Sequence, residues 1–151
     1  MCKSLSDSVT PVVYYGTAGA SSKWSTDHST QNAFDREDPN ARWASKAGFP
    51  GKIWFQFTYE VKVVKISFSS VDGEWRVQSP KAFHVIASGD CSNWDTLLSV
   101  TNSGFTGPNQ EKSWEIPCTQ QKSYRCYGFE GTENLGYGKD VISFEKLKMF
   151  Q

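Results

Sequence analysis

Short runs of apolar or alternating apolar and polar residues recur at 12–15, 53–57, 61–68, 83–87, 97–100, 114–116, 124–129 and 141–150. A two-residue period marks a strand with one buried face, and no segment sustains the 3.6-residue period of an amphipathic helix. These runs predict about eight strands. Stretches dense in Gly, Pro, Asn and Ser separate them at 17–22, 46–52, 102–109 and 131–140, as turns require. A single helical turn is predicted near 31–35. Strand following strand through loops predicts an all-β antiparallel sandwich or barrel. No repeat, linker or low-complexity tract divides the chain, so 1–151 reads as one domain. In the last run Ile142, Phe144, Lys146, Lys148 and Phe150 are expected on one face, with Val141, Ser143, Glu145, Leu147 and Met149 on the other.

Composition agrees with sheet. The 151 residues include ten Phe, six Trp and six Tyr but only eight Ala and five Leu, so good helix formers are scarce. Sixteen acidic and sixteen basic residues balance, which argues against a nucleic-acid partner. No run approaches the roughly 18 apolar residues of a membrane-spanning helix, and the first fifteen residues lack the apolar stretch of a signal peptide. Cys2, Cys91, Cys118 and Cys126 show no zinc-finger spacing. Reduced thiols and a disulfide are both open readings. Cys91 and Cys118 lie in segments that could meet, whereas Cys126 reads as a small buried hydrophobe.

Chemistry points away from catalysis. No Gly-x-Ser-x-Gly, His-Glu-x-x-His or phosphate loop is present, and His28 and His84 are the only histidines. No catalytic residue is assigned. Trp43, Trp54, Trp94 and Trp114 lie in or beside predicted strands and read as core. Trp24 and Trp75 fall in loops, where binding residues concentrate.

Ala20-Ser21-Ser22, Asn32-Ala33-Phe34-Asp35, Arg42-Trp43 and Ile53-Trp54-Phe55-Gln56-Phe57 form an ordered series. Further on come the run 83–88, Trp94, Tyr124-Arg125-Cys126-Tyr127 and Ile142-Ser143-Phe144. Taken together this series resembles the discoidin, or coagulation factor 5/8 type C, family over nearly the whole chain. The resemblance implies a galactose-binding-like jelly-roll sandwich, an extracellular setting and ligand loops gathered at one end. Those loops correspond here to 23–28, 44–52, 70–79 and 131–140. They carry Trp24, Asp27, His28, Phe49, Trp75, Arg76, Asn134 and Tyr137, a mixture of flat apolar rings and hydrogen-bonding groups suited to a sugar. Trp24 and Trp75 are expected to share a ligand.

The leading expectation is a non-catalytic, lectin-like domain that recognises galactose-type glycans or glycoproteins. Its rivals are anionic phospholipid binding through Lys23, Trp24, Lys46, Phe49, Lys52, Trp75 and Arg76, and a protein-adhesion role. Many discoidin-like domains hold a structural calcium through an Asp-Gly-Asp segment and a Glu on the closing strand. Here Arg36 replaces that Gly, and Lys146 falls at the position of the Glu, so no cofactor or metal is expected and Lys146 is expected to pair with Asp35. Aligning Glu145 instead would restore the carboxylate. The disulfide that ties the two ends of coagulation-type members has no counterpart, because no cysteine lies near residue 150.

Overall fold

In the computed structural model, residues 9–23, 30–34, 42–46 and 48–151 are described. They form nine strands: β1 (Gly16–Ala20), β2 (Arg42–Ala44), β3 (Gly51–Val61), β4 (Lys65–Ser69), β5 (Pro80–Ser88), β6 (Asp95–Val100), β7 (Glu111–Glu115), β8 (Tyr124–Asn134) and β9 (Ser143–Phe150). Every pairing between them is antiparallel. One sheet runs β1-β3-β8-β5-β6 and the other β2-β9-β4-β7. The all-β sandwich expected from the alternation is therefore observed. The predicted helical turn is a 3-10 turn at Thr30–Phe34.

The two sheets meet over a core of rings. Phe55, Phe57, Phe83 and Phe129 come from the five-stranded sheet, and Trp43, Phe68 and Phe144 from the other; all are essentially fully buried. Phe68 stands 5.3 Å from Phe83, 5.4 Å from Phe129 and 5.2 Å from Phe144, and stacks on Trp114 at 4.7 Å. Offset and edge-on pairs at these separations add to plain area burial.

Two local readings change. Residues 17–22 were expected as a turn, yet Gly16–Ala20 forms the edge strand β1, paired to β3 from Gly16 opposite Phe57 to Ala20 opposite Ile53. Its small residues hide the strand pattern because its pairing is carried by backbone groups. The run 12–15 instead crosses to the other sheet: the Val12 amide donates to the Met149 carbonyl at 3.0 Å and the Tyr14 hydroxyl donates to the Leu147 carbonyl at 3.1 Å.

The simple alternation of 141–150 also fails. Phe144 is buried, but so are Leu147 and Met149. Ser69 pairs with Glu145 and Ser67 with Lys148, so two steps on β4 face three on β9. The extra residue is a β-bulge, with Lys146 at a φ of +53°, and it turns every later side chain to the opposite face.

Cys91 and Cys126 form a disulfide with Cα atoms 5.5 Å apart. This corrects both the expectation that Cys91 could meet Cys118 and the reading of Cys126 as a thiol. Cys126 is buried because its side chain lies under the β5–β6 connection. Cys118 is also disulfide-bonded.

Candidate functional site

Four connections gather at one end of the sandwich: 45–46 with 48–50, 70–79, 101–110 and 135–142. Their backbones are tied to each other. The Ser45 and Gly48 amides donate to the Ile142 and Asp140 carbonyls at 2.8 and 2.9 Å, and the Ser45 hydroxyl accepts from the Ile142 amide at 2.9 Å. The Leu135 amide donates to the Ser79 carbonyl at 3.1 Å, while the Ser79 hydroxyl accepts from the Val71 amide at 2.9 Å. Ser70 completes the set, its hydroxyl donating to the Gly107 carbonyl at 2.7 Å and accepting from the Gln110 amide at 2.9 Å. Buried serines thus replace water as the partners of loop backbone groups, which gives the end a defined shape.

Trp75 and Arg76 sit on a 3-10 turn, Gly73–Gln78. The Trp75 indole is 44% exposed, a large apolar area left in water. It stands edge-on to the Tyr137 ring, with centroids 6.4 Å apart at 73°. Arg76 is exposed and makes no ion pair with a described residue. Beside it lies a hollow of about 130 Å³ lined by Arg76, Val77, Phe105, Thr106, Gly107 and Leu135. Its lining mixes apolar side chains, Val77, Phe105 and Leu135, with the polar Arg76 and Thr106.

Behind the turn, Arg42 holds the elements together. Its Nε donates to the Ser143 hydroxyl at 2.9 Å and its Nη2 to Gln78 Oε1 at 3.3 Å. Burial lowers the Arg42 pKa, opposed by the charges of Glu145 and Asp72. Glu145, the residue opposite Arg42 in the β2–β9 ladder, has its carboxyl pKa raised chiefly by burial and further by Asp72, against the pull of Arg42 and Lys146. The Arg42 guanidinium therefore acts on the closing-strand carboxylate as a neighbouring positive charge. Among the described residues no three His, Cys, Asp or Glu side chains gather as a metal shell.

Asn134 is buried, and all four of its hydrogen-bonding positions serve the loop that follows it. Its amide nitrogen donates to the Lys139 and Val141 carbonyls at 2.8 and 3.0 Å; its oxygen accepts from the Gly136 and Tyr137 amides at 3.1 and 3.0 Å. The turn needs Gly136, whose φ of +117° suits only a residue without Cβ. Asn134 thus positions Tyr137 and has no spare group for a ligand. Phe49 packs against the core as a loop anchor. Of the expected site residues, the structure brings Trp75, Arg76, Asn134 and Tyr137 together; Trp24, Asp27 and His28 lie outside the described residues, as does Asp35.

Sequence reasoning missed the 101–110 connection, which supplies Phe105, Thr106 and Gly107 to the hollow. The stretch NSGFTGPN was visible as a turn, but its contact with 70–79 depends on a long-range pairing by Ser70. It also misplaced two tryptophans. Trp43 is core and Trp114 packs against it, whereas Trp54 and Trp94 lie on the outer face of the five-stranded sheet. Ile53, Phe55 and Phe57 occupy the inward positions of β3, so period two sends Trp54 out.

No family model and no curated protein matches the chain. Solved structures do. The CpGH89CBM32-5 module from Clostridium perfringens, in complex with GalNAc-β-1,3-galactose, has a TM-score of 0.73 at 16% identity, covering 89% of this chain and 94% of that one. Chitosan-binding module 1 from a chitosanase/glucanase of Paenibacillus sp. IK-5, as a selenomethionine-labelled mutant, gives 0.71 at 19%, covering 90% and 94%. The family 32 CBM from C. perfringens NanJ, in complex with galactose, gives 0.71 at 16%, covering 89% and 93%. At these identities the likeness is one of fold, a two-sheet antiparallel β-sandwich.

Proposed function

We propose that the chain is a non-catalytic, discoidin-like carbohydrate-binding domain that takes galactose-type glycans at the end formed by 70–79, 101–110 and 135–142. The observation that carries this reading is the half-open Trp75 indole braced by Tyr137, next to a small hollow and an exposed Arg76 that forms no ion pair with a described residue. A pyranose has an apolar C–H face and a rim of hydroxyls. Trp75 offers a ring for the first, and Arg76 with the loop backbone offers donors and acceptors for the second. The solved neighbours add support, because two are complexes with galactose or a GalNAc-galactose disaccharide and a third is a chitosan-binding module.

Phospholipid binding loses two of the residues it would use. Phe49 is packed against the core, and Lys52 lies on the sheet face beside Glu130. A glycan array probed with the multimerised domain tests the proposal, since linked weak sites gain avidity. Defined galactose-terminated glycans should give signal, and Trp75→Ala should remove it. An array silent for the native domain refutes the reading.

A further inference from the structure

The outer face of the five-stranded sheet carries a second aromatic and polar surface, made of strand residues rather than the end loops and independent of the reading given to those loops. Trp54 projects from β3 between two glycines, Gly19 on β1 and Gly128 on β8, with which it is paired across the sheet. A Cβ at Gly19 would run into the Trp54 ring, and one at Gly128 would come within 2.9 Å of Trp54 Cβ and 3.3 Å of Ile86. The glycines therefore let the indole lie down on the sheet. Trp94 meets it from the β5–β6 connection at 5.8 Å and 57°.

That connection is unusually well fixed. Asp90 Oδ1 accepts from the Ser92 and Asn93 amides at 2.9 Å each and from the Ser88 hydroxyl at 2.9 Å, while Asn93 Nδ2 donates to Oδ2 at 2.8 Å. The disulfide from Cys91 to Cys126 then pins the connection onto β8. Trp94 is thus held in place by its own loop and does not depend on the core for its position.

Next to the two indoles, Lys52, Glu130, His84 and Ser99 are successive partners across four strands, a polar row of about 14 Å at ordinary strand spacing. Lys52 Nζ lies 3.7 Å from Glu130 and 5.4 Å from the centre of the Trp94 ring. The His84 Nδ1 and the Ser99 hydroxyl are 2.8 Å apart, so the Ser99 contact uses only one of the two ring nitrogens. Both indoles are half-buried, with Ile86 dry beneath them. Neither indole N–H has an acceptor among the described residues, and neither is a buried orphan.

We propose that this face is a second carbohydrate site, for an extended neutral glycan lying across Trp54 and Trp94 with its hydroxyls along the Lys52-Glu130-His84-Ser99 row. The row is charge-balanced, since Lys52 and Glu130 compensate each other, which disfavours polyanions such as nucleic acid or anionic lipid. It mixes donors with acceptors beside two rings, and sugar hydroxyls, which do both, match that mixture.

The test uses the Trp75→Ala protein, so that failure of the loop-end reading cannot be mistaken for failure of this one. Native gel electrophoresis through xyloglucan, galactomannan, mixed-linkage β-glucan and galactan should retard this variant in at least one polysaccharide. Adding Trp94→Ala or His84→Ala should weaken that retardation by about tenfold, the scale of one lost ring or hydrogen-bond contact. The retarding polysaccharide should also shift the indole N–H resonances of Trp54 and Trp94, which reports the site without any further mutation. Absence of retardation in all four gels, or retardation with both indole resonances unmoved, overturns the proposal.

Discussion

Replacing Asn134 by Ala removes four hydrogen bonds at once from the loop that presents Tyr137. The residue is only 8% exposed. Each such bond contributes about 1 kcal/mol net, but most of the freed loop groups can turn to water, and only the bond to the Val141 carbonyl is fully buried. The expected loss is therefore about 2–3 kcal/mol rather than the full sum, read as a lower urea midpoint at unchanged slope. Glycan affinity should fall too, because the Tyr137 ring that braces Trp75 is no longer fixed. Tyr137→Ala separates the two effects: it removes the half-buried brace while leaving the Asn134 bonds to backbone intact, so binding should weaken with stability changed by only about 1 kcal/mol. A stability change below about 0.5 kcal/mol in Asn134→Ala would refute the assignment of Asn134 as the loop's organiser.

Three other outcomes are expected. Cys91→Ser with Cys126→Ser opens a loop spanning 35 residues, and denaturation should show a loss of about 3–4 kcal/mol by the loop-entropy relation. Asp90, whose pKa is driven far below the ordinary 3.8 mainly by the Asn93 and Ser92 amides, stabilises the fold above that value and loses its contribution as pH falls towards its native pKa. Asp90→Ala should accordingly lower Tm at pH 7, with the gap narrowing in acid below the ordinary carboxyl range; a gap that stays constant contradicts the linkage. Calcium added to chelator-treated protein should leave Tm unchanged, since Arg42 already neighbours Glu145, and a marked rise would show that an ion is held after all.

The sequence reveals the sandwich because inward positions such as Ile53, Phe55 and Phe57 alternate strictly with outward ones. It hides β1 because Gly and Ala pair through backbone alone, and it hides the change of face in β9 because a bulge at Lys146 needs only one residue's dihedral angles to differ. The candidate site was partly legible. Trp75, Arg76 and Tyr137 announce themselves as aromatic and cationic residues in Gly-rich turns, but the hollow next to them depends on Phe105 and Gly107, brought there by Ser70 from more than thirty residues away. Asn134 was visible as a polar loop residue, yet only coordinates distinguish an amide turned inward from one offered to a ligand.

The central claim is that sugar binds where Trp75, Arg76 and Tyr137 converge. Titrating the isotopically labelled domain with methyl β-galactoside, and following backbone amide shifts, tests it most directly. The account predicts perturbations concentrated in 73–78, 105–107 and 135–140. Shifts confined to the opposite end of the sandwich, around the exposed Val13, Tyr15 and Tyr59, would contradict it.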